Sequence, residues 1–101
     1  MDRRLKLQTK FEELLNSRNV YFQPPESLKM EYPAIRYSLS KINGRYADNA
    51  KYSKLTRYEV IVIDKRPNNK VIDEILDLPY SSHDRHYVSN NLNHDVITLY
   101  Y

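Results

Sequence analysis

Three histidines, His83, His86 and His94, are the residues of this chain best suited to chemistry, because imidazole ligates metals and moves protons near neutral pH. His83 and His86 are three apart in a segment that reads as extended, where positions i and i+3 point to opposite faces. No His-Glu-x-x-His helix surrounds them, and the chain has no cysteine to complete a thiolate site. The three are therefore expected to be ordinary surface or hairpin histidines. Ser81-Ser82-His83-Asp84 holds the letters of a hydrolytic triad. A triad, however, needs nucleophile, base and orienter to converge from separated positions. Asp73, Glu74 and Asp77 share one helix face, and solvation accounts for them better than acid–base chemistry. The expectation is no catalytic residue, no metal site and no cofactor; the chain does not read as an enzyme.

Composition points the same way. Ten of the 101 residues are tyrosine and one is glycine. Glycine lets a backbone approach a phosphate closely or turn sharply, so a single one nearly removes the glycine-rich nucleotide-binding motifs. Tyrosine combines a large apolar face with a hydroxyl that wants a partner, which suits half-wet protein–protein contacts. An RNA-recognition sheet would stack bases on aromatics within a Gly-Phe/Tyr-Gly/Ala-Phe run. That run is absent, and the tyrosines are scattered over strands and loops.

The length predicts one domain spanning residues 1–101, since a chain of this size buries roughly 60–70% of its unfolded surface around one modest core. Net charge is +3 with an isoelectric point near 9.1. The basic residues are dispersed as Arg3, Arg4 and Lys6, then Lys51, Lys54 and Arg57, then Lys65 and Arg66. A dedicated DNA binder concentrates its charge on one face. Absence of cysteine fits a reducing compartment. No stretch approaches the roughly 18 apolar residues of a membrane span, so a soluble, cytoplasmic chain without membrane contact is expected.

The elements follow from periodicity. Leu7, Phe11, Leu14 and Leu15 make one apolar stripe at helical spacing, predicting a helix from about Arg3 to Ser17. Val20-Tyr21-Phe22 is a short strand stopped by Pro24-Pro25, which places it at a sheet edge. After a polar connector from Glu26 to Tyr32, Ala34 to Ile42 alternates as a strand, with Ile35, Tyr37 and Leu39 on one face. Asn43-Gly44 then signals a type I′ hairpin turn, with Arg45 onward either a return arm or a long loop.

Arg57 to Asp64 reads as the central strand, because Val60 to Ile63 are continuously β-branched and need cover on both faces. Asn69 is a candidate N-cap for a helix from about Lys70 to Leu78. Its inward set is Val71, Ile72, Ile75 and Leu78, and Pro79 stops it. Two last strands, about Arg85 to Val88 and Asp95 to Tyr101, are joined through a turn-rich Ser89 to His94. The fold class is α+β, order α-β-β-(β)-β-α-β-β, with two helices on one face of a mainly antiparallel sheet.

Several phrases of this chain resemble a known family. They are Asn19-Val20-Tyr21-Phe22-Gln23-Pro24-Pro25, Met30-Glu31-Tyr32-Pro33-Ala34-Ile35, Tyr46-Ala47-Asp48-Asn49, Arg57-Tyr58-Glu59-Val60 and Asn91-Leu92-Asn93-His94-Asp95-Val96. With the element order, they resemble the tail terminator (tail completion, head–tail joining) proteins of long-tailed bacteriophages. The resemblance implies a homo-oligomeric ring, typically a hexamer, that caps the tail tube and meets the head connector or neck proteins. DNA would pass through its lumen only as cargo. It also implies residence in the virion neck, and in the host cytoplasm during assembly. No catalytic residue carries over.

Closed rings need two different patches per subunit. The loop from Arg45 to Lys54 combines two tyrosines with mixed charge and almost no aliphatic content, so it cannot form a core but could anchor an interface. The expected subunit interface is therefore Tyr46, Asp48, Asn49 and Tyr52, together with Asn91, His94 and Asp95 near the last hairpin. The competing reading is a small basic nucleic-acid-binding regulatory protein, motivated by the isoelectric point and the tyrosines.

Overall fold

The computed structural model describes residues 3–25, 27–42, 56–67 and 69–101. In chain order the elements are α1 (Arg3–Leu15), β1 (Val20–Phe22), β2 (Ala34–Ile42), β3 (Thr56–Asp64), α2 (Lys70–Leu76), β4 (Ser81–Ser89) and β5 (Leu92–Tyr100). The fold is α+β, as the sequence predicts. Five strands form one sheet in the order β1-β2-β3-β5-β4. Every pairing is antiparallel except β1 with β2, which run parallel with Val20 opposite Ile35. The expected turn at Asn43-Gly44 lies outside the described residues. The described antiparallel partner of β2 is β3, with Ile42 opposite Thr56.

Both helices lie on one face. The α1 stripe puts Leu7 and Phe11 fully inside, against Tyr37 and Val60 of the sheet and Val71 and Ile75 of α2. Burying side chains of this size contributes roughly 1.5–3 kcal/mol each, which offsets the marginal stability of a 13-residue helix. The helix ends earlier than its polar tail suggests, because Asn16 takes φ 56°. Asn16 N–H then donates to the Glu13 carbonyl and Ser17 N–H to the Glu12 carbonyl, a Schellman cap in which asparagine replaces the usual glycine. At α2, Asn69 Oδ1 accepts from Val71 N–H at 2.9 Å, as expected of the N-cap, and Asn69 Nδ2 donates to Asp64 Oδ2 at 2.7 Å.

The central position of β3 explains its composition. Val60 and Val62 face the helices, while Ile61 and Ile63 face the other side. There Met30 and Tyr32, from the stretch between β1 and β2, pack over Ile61, Ile63 and Val96. This polar connector therefore covers part of the second face.

Several boundaries differ from expectation. Leu39, expected inward with Ile35 and Tyr37, is 44% exposed; the pairing of β2 with β3 shifts register just beyond it, between Leu39 and Lys41. Glu74, expected outward, is half-buried, and its Oε1 is enclosed without a hydrogen-bond partner. β4 begins at Ser81, not near Arg85, and β5 begins at Leu92, not Asp95. The loop between them shrinks to Asn90-Asn91, both at positive φ (53° and 62°), the pattern a two-residue type I′ turn requires.

Candidate assembly interface

β4 is the outermost strand of the sheet, and from Ser82 to Ser89 every residue is exposed. Its sequence, Ser-Ser-His-Asp-Arg-His-Tyr-Val-Ser, is largely polar, as suits side chains that neither face of the fold covers. A nine-residue edge of this kind presents backbone donors and acceptors to another chain. The opposite edge, β1, is three residues long. The two ends of the sheet are thus unlike.

The geometry of β4 turns on Asp84. His83 pairs with Ile97 and Arg85 with Val96, so Asp84 is one extra residue in the strand, a β-bulge. This overturns the expectation that His83 and His86 point apart. The inserted residue resets the alternation, and both imidazoles come to the helix-bearing face. His83 Nε2 lies 3.0 Å from Asp95 Oδ1, and His86 Nε2 lies 3.1 Å from Asn93 Oδ1. Asp84 turns to the other face, where the Thr98 hydroxyl donates to its carboxylate.

These side chains form one wall of a depression of about 420 Å3. Asp95, only 7% exposed, joins His83 and His86 on that wall. Pro67, Asn69, Ile72 and Asp73, from α2 and the turn before it, form the other. Two carboxylates, two imidazoles and an amide make the site rich in hydrogen-bond acceptors. Among the described residues no group of three or more His, Cys, Asp or Glu side chains is placed to hold a metal ion. Ser81 Oγ donates to the carbonyls of Leu76 and Leu78 at 3.2 and 2.8 Å. That hydroxyl finishes α2, and His83 is held by Asp95, not by neighbouring Asp84.

On the opposite face of the hairpin Tyr87 stacks on His94, with centroids 4.6 Å apart and planes 9° from parallel. The Arg85 guanidinium lies 5.7 Å from the Tyr87 ring centre, within range of a cation–π contact. His94 Nδ1 is also 3.0 Å from the Leu92 carbonyl.

Of the residues expected at a subunit interface, Tyr46, Asp48, Asn49 and Tyr52 lie outside the described residues. Asn91 is exposed in the hairpin turn, His94 is half-buried in the stack, and Asp95 is buried on the other face. The hairpin thus brings Asn91 and His94 to one end and separates Asp95 from both. Sequence reasoning missed His83, His86, Arg85 and Tyr87 as parts of one edge, since a bulge leaves no signature in alternation when nearly every residue of the strand is exposed.

Among the described residues no helix is long and apolar enough to cross a membrane. No protein-family model, curated protein or solved structure matches this chain.

Proposed function

We propose that this chain is a structural subunit that joins copies of itself head to tail into a closed ring. Its role is that of a tail terminator of a long-tailed phage, capping the tail tube and meeting the head connector. The observation that supports this most is the pair of unlike sheet edges: a nine-residue exposed β4 at one side and a three-residue β1 at the other. A heterologous contact needs two different patches on each subunit, and repeating it closes a ring. β4 also carries exposed apolar groups, Val88 at 62% and Tyr87 at 37%, of the kinds found at interfaces. The phage context comes from the resemblance of the phrases around Val20-Tyr21, Tyr32-Pro33 and Asn91 to Val96, and the helix-first order of elements is compatible with it. In this reading the ring is a hexamer and DNA crosses its lumen unread.

Negative-stain microscopy of the purified protein tests the reading. Closed rings in solution and at the neck of virions are expected, and phage lacking the protein should accumulate separate heads and tails. A protein that stays monomeric and binds duplex DNA at nanomolar, sequence-dependent affinity would instead be a regulator. Non-specific contacts reach only about 10⁻⁴–10⁻⁶ M at physiological salt.

A further inference from the structure

The depression beside β4 differs in its charged groups from the chain as a whole. The protein carries a net +3, yet among the described residues the lining holds the carboxylates of Asp73 and Asp95 and neither lysine nor arginine. Asp95 is committed to His83 and buried, whereas Asp73 is exposed on α2 at the rim. Ile72 and Pro67 add apolar wall beside it. This combination suits a side chain with an aliphatic stem and a planar, donor-rich cation at its end. A guanidinium matches a carboxylate in a two-bonded fork, and its methylenes pack on apolar surface.

The opposite end of the sheet offers two exposed arginines, Arg18 and Arg36. Arg36 is opposite Ile61, which belongs to the second face, so Arg36 points away from the side on which the depression opens. Arg18 follows the Schellman turn of α1 and leads directly into β1. It is thus exposed in the turn that carries the chain from α1 to the edge strand β1. In a head-to-tail contact the β4 end of one copy meets the β1 end of the next.

Resting on the ring reading, we infer that the depression between α2 and β4 is the acceptor half of the subunit contact and takes the Arg18 side chain of a second copy, with Asp73 as its carboxylate partner. The bulge at Asp84 is part of this site. By turning both histidines inward it sets them against the Asp95 and Asn93 side chains and sends Arg85 to the other face.

A charge swap followed by sedimentation velocity on the full chain tests this. Asp73→Arg and Arg18→Asp should each weaken assembly by about tenfold or more with an unchanged thermal melt, and the double variant should regain wild-type assembly. Should Asp73→Arg melt early, Asp73→Asn is the substitute, with weakened assembly again expected. A wild-type protein that is monomeric at every concentration overturns the ring reading and this contact with it. A wild-type ring that both single variants leave intact overturns the contact alone. Single variants that weaken assembly without rescue by the double variant show that Arg18 is not the occupant.

Discussion

His83 and Asp95 bind each other across the last two strands, Nε2 to Oδ1 at 3.0 Å, with the carboxylate buried and the imidazole at the sheet edge. The contact ties an exposed strand to an inner one through side chains as well as backbone. Deleting the imidazole leaves a buried carboxylate without its partner. His83→Ala should therefore cost about 1–3 kcal/mol, read as a lower urea midpoint. His83→Ala with Asp95→Asn should recover part of the loss, because the amide has no charge to desolvate. Equal midpoints for wild type and His83→Ala would mean that water already satisfies the carboxylate.

Tyr37 predicts an alkaline limit to stability. Its ring is fully buried between Phe11 and Phe22, and its hydroxyl donates to Gln8 Oε1 at 2.6 Å. Burial raises its pKa above the ordinary value of about 10, although Arg4 pulls the other way. The folded state therefore holds the phenolic proton more tightly than the unfolded chain does. That contribution is fully present below pH ~10 and is lost as pH rises through the folded pKa. Melting temperature should fall more steeply above pH ~10 in wild type than in Tyr37→Phe, which has no proton to lose. Parallel curves would remove Tyr37 as the cause.

The hairpin turn supplies a backbone test. Asn90 and Asn91 both sit at positive φ, a conformation that costs a β-branched residue roughly 1–2 kcal/mol. Asn91→Val should lower stability by about that amount, while Asn91→Gly should be neutral or stabilising, as glycine takes the position without strain. A valine variant that melts with wild type would show that the turn has another geometry.

Much of the fold was legible locally. The stripe of Leu7 and Phe11, the alternation of Ile35 and Tyr37, the β-branched run of β3 and the Asn69 cap each announce themselves within a few residues. The candidate edge was not legible. The sequence placed a strand at about Arg85 to Val88, but Ser81 to Ser89 is exposed nearly throughout, so no alternation marked where the strand begins, its register or its bulge. The interface residues expected around Tyr46 to Tyr52 lie outside the described segment, and of those expected at the hairpin Asn91 and His94 lie at one end of it while Asp95 is buried on the other face.

By itself the sequence determined the order and type of the elements, which faces are apolar, and where α2 begins, because these depend on spacing between near neighbours. Tertiary structure decided the rest. It set β1 parallel to β2, drew Met30 and Tyr32 over the second face, and placed β5 inside and β4 outside. It also joined His83 to Asp95. Each of these depends on a partner distant in the chain, and a side chain's own neighbours carry no record of which strand will lie beside it.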